Sequence, residues 1–193
     1  MYNINTKYWK KKSLNQYILN EDGTLTSLAL IILGIIAAVF HQVIRLKGVN
    51  IPGHHGLEWM TLLLFGRMQS RYRWAGILVA TGAASSYMLQ SAYMPLTESF
   101  KPAVVYLING FCVDFLYRYS PKNLPAFIKG ILFGGVSFMI KPILLIPFAM
   151  FLEFHFGSFD KHGYIFPVLT HFMFGSIGAI CGITLANLMK DKH

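Results

Sequence analysis

Five stretches of this chain are apolar for roughly the length that a lipid bilayer demands of a helix. They cover residues 24–46, 74–94, 102–117, 124–154 and 164–189, and about 20 such residues cross the hydrocarbon core. Inside a bilayer each backbone N–H and C=O must be bonded within the protein, which restricts such stretches to helix. Composition agrees: 54% of residues are apolar, 15% aromatic and 13% charged, against about 25% charged in a soluble domain. Mean hydropathy is +0.48. These values exclude a water-soluble globule, a disordered chain, a coiled coil and a disulfide-stapled module. Cys112 and Cys181 stand isolated in apolar runs and read as small buried hydrophobes. Residues 1–23 are polar and basic, without the apolar core or cleavage site of a signal peptide.

A sixth segment, IPGHHGLEWMTLLLF (residues 51–65), is apolar only in its second half. Charge decides whether it spans, because Lys and Arg of short loops stay on the cytoplasmic side. If it spans, one side holds eleven cations: Lys7, Lys10, Lys11, Lys12, Arg67, Arg71, Arg73, Arg118, Lys122, Lys190 and Lys192. The other side holds four: Arg45, Lys47, Lys101 and Lys161. If it does not span, the same fifteen divide six against nine, with the basic N-terminal tail on the poorer side. The expected fold is therefore an all-α integral membrane protein, a bundle of six transmembrane helices with a short second helix. An ordered outer connection joins helices 1 and 2. Residues 1–23 form a cytoplasmic basic segment, 24–189 the membrane domain and 190–193 a cytoplasmic tail. The net charge of +9 becomes a topology signal, and nucleic acid is not expected as a partner. The bilayer itself is.

This topology gives each polar residue a depth. His41 falls at the outer end of helix 1, His54 and His55 in the outer connection, and Glu58 and Trp59 at the outer start of helix 2. Asn109 lies about two turns into helix 4 and His171 about two turns into helix 6, both counted from outside. Glu153, His155 and His162 cluster around the last outer loop. Apart from His193, every histidine sits in the outer half. Polar groups at membrane depth face a cavity or a partner, so a pocket open to the outside is expected, rimmed by IPGHHGLEW. Asp114 is expected to pair with Arg118 one turn on. Lys141 either extends its stem to the outer interface or neutralises an anionic ligand. Pro142 and Pro147 are expected to kink or end the long fifth stretch.

His54 and His55 with His41, Glu58 or His171 offer enough ligands for a metal, but adjacent histidines diverge on a helix and no HExxH or HxxxH spacing is present. No metal site is assigned. Catalytic signatures (GxSxG, paired carboxylates, phosphate-cradling glycine loops) are missing too, so neither an enzyme nor a cofactor is expected. Two alternatives stay open. One is a haem- or metal-binding membrane protein; the other is a membrane enzyme using the outer histidines on a lipid or prenyl substrate. Stripes of small residues, Gly34-xxx-Ala38, Gly76-xxx-Ala80-xxx-Ala84 and Gly178-xxx-Gly182-xxx-Ala186, allow close helix packing or, in helix 1, docking of a partner.

With six helices in about 190 residues, a short second helix, the Gly34-xxx-Ala38 stripe and GFCVDFLYRY at 110–119, the chain resembles the substrate-binding S components of energy-coupling factor (ECF) vitamin transporters. It differs from the cobalt and nickel members, which begin Met-His, in having Tyr2. The resemblance implies uptake of a small micronutrient captured from outside. Residues 47–58 would form a lid, and Asn109, Lys141 and His171 would line the pocket. Helix 1 would dock a transmembrane coupling subunit through Gly34 and Ala38, powered by cytoplasmic ATPases. The location implied is the cytoplasmic membrane, with both termini inside.

Overall fold

The computed structural model describes residues 6–43, 51–93, 95–121, 123–151 and 157–190. Among them every regular element is helical. Helix α1 is Thr6–Val43, α2 Gly56–Gln69, and α3 Ala75–Leu89, continued by a 3-10 turn at Gln90–Ala92. Helix α4 is Leu96–Tyr119. A short α5, Ala126–Lys129, passes through a π-helical stretch, Gly130–Val136, into α6, Ser137–Phe151. Helices α7, Gly157–His162, and α8, Ile165–Lys190, follow. The residues Arg45, Lys47, Lys122, Glu153 and His155, the start of the α1–α2 connection and the tail 191–193 lie outside the described residues.

Among the described residues four segments are long and apolar enough to cross a membrane: Gly23–Gln42, Ser99–Tyr119, Ala126–Phe151 and Ile165–Met189. Six crossings were expected. The difference lies in α2 and α3, whose 14 and 15 residues reach only about 21 and 22 Å at 1.5 Å per residue. Helix α3 stops short of the apolar stretch that predicted it, passing into the 3-10 turn at Gln90. From Thr6 onward the basic N-terminal segment continues into α1 without a break.

Helix α2 occupies the centre. Met60, Leu63 and Leu64 are fully buried, and the helix packs on α8, α1 and α3. Glycine makes this possible. A Cβ at Gly178 would come within 2.6 Å of the Gly56 and Leu57 carbonyls, and one at Gly182 would collide with that of Thr61. The Thr61 hydroxyl donates to the Gly178 carbonyl at 3.0 Å. Where lipid replaces water, such close backbone approach supplies the dispersion contact that holds helices together.

Helices α1 and α3 meet in the same way. A Cβ at Gly34 would collide with the Val79 carbonyl and one at Gly82 with that of Ile31, while Ala38 is fully buried. Gly34 and Ala38, expected to dock a partner, are therefore covered by α3. Their role in the fold is an internal seam.

The fifth stretch neither ends nor breaks at its prolines, since α6 runs through Pro142 and Pro147. Its departure from α geometry comes earlier, in the π-helical stretch, where Gly134 and Gly135 press against Gly175 and Ser176 of α8. Wide π turns are uncommon and recur near functional sites; this one leads directly into Phe138 and Lys141. Cys112 is half-buried and Cys181 exposed, so the second thiol lies on the bundle surface rather than in its core.

Candidate functional site

The end of α1, the turn before α2 and the first turn of α2 bring polar side chains together. At Gly53 the chain takes φ +81°, a conformation that strains any residue with a Cβ, and a Cβ there would lie 2.7 Å from His171 Nδ1. The turn is thus pressed onto α8. Gly56 N–H donates to the Gly53 carbonyl at 2.8 Å and Leu57 N–H to that of His54 at 3.1 Å, which starts α2 at this point.

His55 sits in the middle of the resulting cluster. Its ring centroid is 5.2 Å from that of His41, 6.0 Å from His54, 5.7 Å from His171 and 5.0 Å from Phe138. Phe138 in turn stacks on His171 at 5.0 Å. Burial holds the His55 imidazole well below its usual pKa of 6.5, and Lys141, His171, His41 and His54 add to the effect by like charge. Glu58 Oε2 approaches His41 Nδ1 at 3.6 Å, tying α1 to α2.

The His171 ring is oriented by its own helix. A carbonyl can only accept, so Nδ1 carries the proton it gives to Pro167 O at 2.7 Å. In the neutral ring Nε2 is then an acceptor, and it is buried without a partner. The Trp59 indole N–H is likewise buried and unpartnered, on a residue 2% exposed. Trp59 packs edge-on against Tyr106 of α4 at 4.3 Å, and Tyr106 stacks on Tyr87 of α3 at 5.3 Å, with hydroxyls 3.5 Å apart. Asn109, one turn from Tyr106, is 1% exposed, and neither its amide oxygen nor its nitrogen has a partner. Helix α4 begins at Leu96, so Asn109 lies about 20 Å along it, deeper than the two turns expected.

Buried polar atoms are nearly always hydrogen-bonded, so these atoms beside aromatic faces offer hydrogen-bonding capacity that no described protein group takes up. Chemically they are an N–H donor on Trp59, an imidazole acceptor on His171 and an amide on Asn109 that offers both. Of the residues singled out from sequence, His41, His54, His55, Glu58 and His171 form the cluster, and Lys141, half-buried, follows Phe138 by three residues on α6. Trp59 adjoins it and Asn109 lies deeper. Exposed His162 packs its ring on Phe166 at 5.1 Å instead. Phe138, Tyr106 and Tyr87 were not singled out, because an aromatic residue in an apolar span looks the same in a pocket as against lipid. Among the described residues no three His, Cys, Asp or Glu side chains are placed to hold a metal ion.

A second polar assembly lies at the opposite end of α2. Arg67, 5% exposed, brings Nε to 2.7 Å from Asp114 Oδ1. Asp114 also accepts from the N–H groups of Gly76 at 3.0 Å and Ile77 at 2.9 Å, capping α3, which has no side-chain cap of its own. The Arg67 guanidinium lies 3.8 Å above the Tyr117 ring and donates to the Ser70 carbonyl at 3.3 Å. Asp114 therefore joins α2, α3 and α4, and does not pair with Arg118 as expected. Arg118 is exposed over Tyr119. Desolvation explains the choice: a carboxylate inside the bundle takes the buried cation and two backbone donors in preference to a solvated neighbour.

Fold and site together define an all-helical chain with four helices fit to cross a membrane and a histidine-rich cluster at one end of its bundle. Comparison with protein-family models, curated proteins and solved structures gives no significant match.

Proposed function

We propose that this chain is the membrane-embedded substrate-binding subunit of an uptake system of the energy-coupling-factor type, taking a small heterocyclic micronutrient at the histidine end. The carrying observation is that Trp59 N–H on α2 and His171 Nε2 on α8 are both buried and unpartnered, on helices that pack together, with the turn at Gly53 pressed onto His171. In this reading α2 and α3 are short spans, giving six crossings with both termini cytoplasmic. Removing the internally paired Arg67 from the cation count leaves ten against four, the same asymmetry. The histidine end then faces outward. With Gly34 and Ala38 covered, a coupling subunit would meet the exposed apolar face of α1, including Leu28, Ile32 and Ile36.

Native mass spectrometry of the detergent-purified chain tests the binding role. Wild type is expected to retain a small molecule, and Trp59→Phe and His171→Ala to lose it while keeping the wild-type elution volume. Retention unchanged in both variants, or no retained molecule in wild type, would overturn the reading.

A further inference from the structure

At the Arg67 end of the bundle, exposed aromatic rings of α4 and of the residue before α3 form one run with an arginine at either end. The Arg73 guanidinium lies 5.0 Å from the Trp74 ring, and Trp74 stacks on Phe111 at 6.3 Å with the two planes 13° apart. Phe111 stacks on Phe115 at 6.3 Å, Phe115 meets Tyr119 at 4.6 Å, and the Arg118 guanidinium lies 5.6 Å over Tyr119. All six side chains are exposed. Asp114, one turn before Arg118, caps the start of α3 and so brings Arg73 and Trp74 alongside the last turns of α4. There the apolar span Ser99–Tyr119 ends, the depth at which rings and cations meet lipid headgroups.

This edge is positive and uncompensated. Arg71 is exposed beside it, and among the described residues none of Arg71, Arg73 and Arg118 has a carboxylate partner. Asp114 is taken by buried Arg67, Glu58 lies in the histidine cluster and Asp160 on α7. Past Phe111, toward the histidine end, α3 and α4 leave an open apolar groove of about 610 Å³ between them. Its walls include Thr81, Ala84 and Met88 of α3 and Ala103, Val104 and Leu107 of α4. From Phe115 to Val104 the rise along α4 is about 16 Å, about half of a hydrocarbon core roughly 30 Å thick.

We propose that this face binds one phospholipid with a net negative headgroup. Its phosphate meets the edge formed by Arg73 and Arg118, and an acyl chain runs over Phe115 and Phe111 into the α3–α4 groove. A guanidinium is a flat fork of donors that can grip a phosphate through two bonds at once, and lying over a ring leaves its N–H edge free to do so. Basic residues gathered beside a membrane helix are what anionic headgroups recognise. A zwitterionic headgroup would bring its own ammonium to three cations that already lack partners. The site is separate from the histidine end and does not depend on what binds there.

The test places the full-length chain in nanodiscs of equal parts phosphatidylglycerol and phosphatidylcholine and reads, by native mass spectrometry, the lipids it keeps on release. Wild type is expected to keep phosphatidylglycerol in excess. Each arginine near a headgroup strengthens binding about fivefold, so Arg73→Gln/Arg118→Gln should lower phosphatidylglycerol retention about 25-fold. Lys101→Gln/Lys161→Gln, which removes exposed cations from the other end, should leave it unchanged. Val104→Trp, which fills the groove, should lower retention of both lipids. Lipids kept by wild type in the proportion supplied, or a wild-type excess in the double arginine variant, overturns the site. So does an equal loss in the double lysine variant, which would trace the preference to overall charge. Undiminished retention in Val104→Trp overturns the groove as the seat of the acyl chain.

Discussion

Replacing Asp114 with alanine strikes the junction of three helices. The substitution strands Arg67, which is 5% exposed and has its Nε 2.7 Å from the lost carboxylate. It also removes the acceptor from two backbone donors at the start of α3, at 3.0 and 2.9 Å. Leaving one partner of a buried ion pair uncompensated costs about 3–5 kcal/mol, and loss of a helix N-cap about 1 kcal/mol. Together these come to roughly 4–6 kcal/mol, a large part of the about 5–15 kcal/mol that holds an ordinary domain. The measurement is unfolding of purified protein in mixed detergent micelles, titrated with denaturing detergent. A double-mutant cycle with Arg67→Met completes it. The pair Arg67→Met/Asp114→Leu removes both charges at once and should recover at least about 2 kcal/mol relative to Asp114→Ala, because apolar replacement of a whole buried pair is close to neutral. A loss below about 1 kcal/mol in Asp114→Ala, or a double variant no better than the sum of the single losses, would refute the reasoning.

Gly34→Leu should destabilise by several kcal/mol or prevent folding, since its side chain meets the Val79 carbonyl; near wild-type unfolding in detergent would show the α1–α3 seam to be loose. Acid should also weaken the fold through His55. Its imidazole is held neutral in the folded state, whereas the unfolded chain takes a proton near pH 6.5, so stability is unaffected above that value and is lost as pH falls below it. The loss is at most about 1.4 kcal/mol per pH unit, and His55→Gln should flatten the dependence of the thermal midpoint between pH 7 and 5; an unchanged slope would assign it elsewhere. For topology, single cysteines at exposed Arg71 and exposed His162 should be labelled by impermeant maleimide from opposite faces of the membrane. Labelling of both from one face would remove one of the short crossings.

The presence and order of the long apolar helices were readable because lipid selects uninterrupted apolar runs, but six crossings were expected and four described segments are long and apolar enough to make one. Their ends were less readable. Helix α4 starts upstream of Pro102 and α3 stops at Leu89, boundaries set by caps and neighbours that hydropathy does not register. The gathering of histidines at one end followed from topology, but the ring contacts that assemble them depend on Gly53 and Gly56 letting the turn sit on His171 and Phe138. Sequence spacing favoured Arg118 for Asp114. The bundle supplied Arg67 instead, along with two α3 N–H groups that no one-dimensional pattern connects to it. The Gly34 stripe was legible as a place of close packing, but which neighbour it packs against was not.

The central place of α2 bears on how the chain is made. A 14-residue helix with Arg67 in its last turn is a poor candidate for independent insertion as it leaves the ribosome. Its principal neighbour, α8, is joined to it by the bond from Thr61 to Gly178, 117 residues away in sequence. Until α8 has been synthesised, α2 lacks one wall and its threonine lacks that acceptor. The early helices must wait in the membrane with their middle unfilled, and the core closes only late in synthesis. A ribosome stalled before α8 would leave the second helix without its principal neighbour.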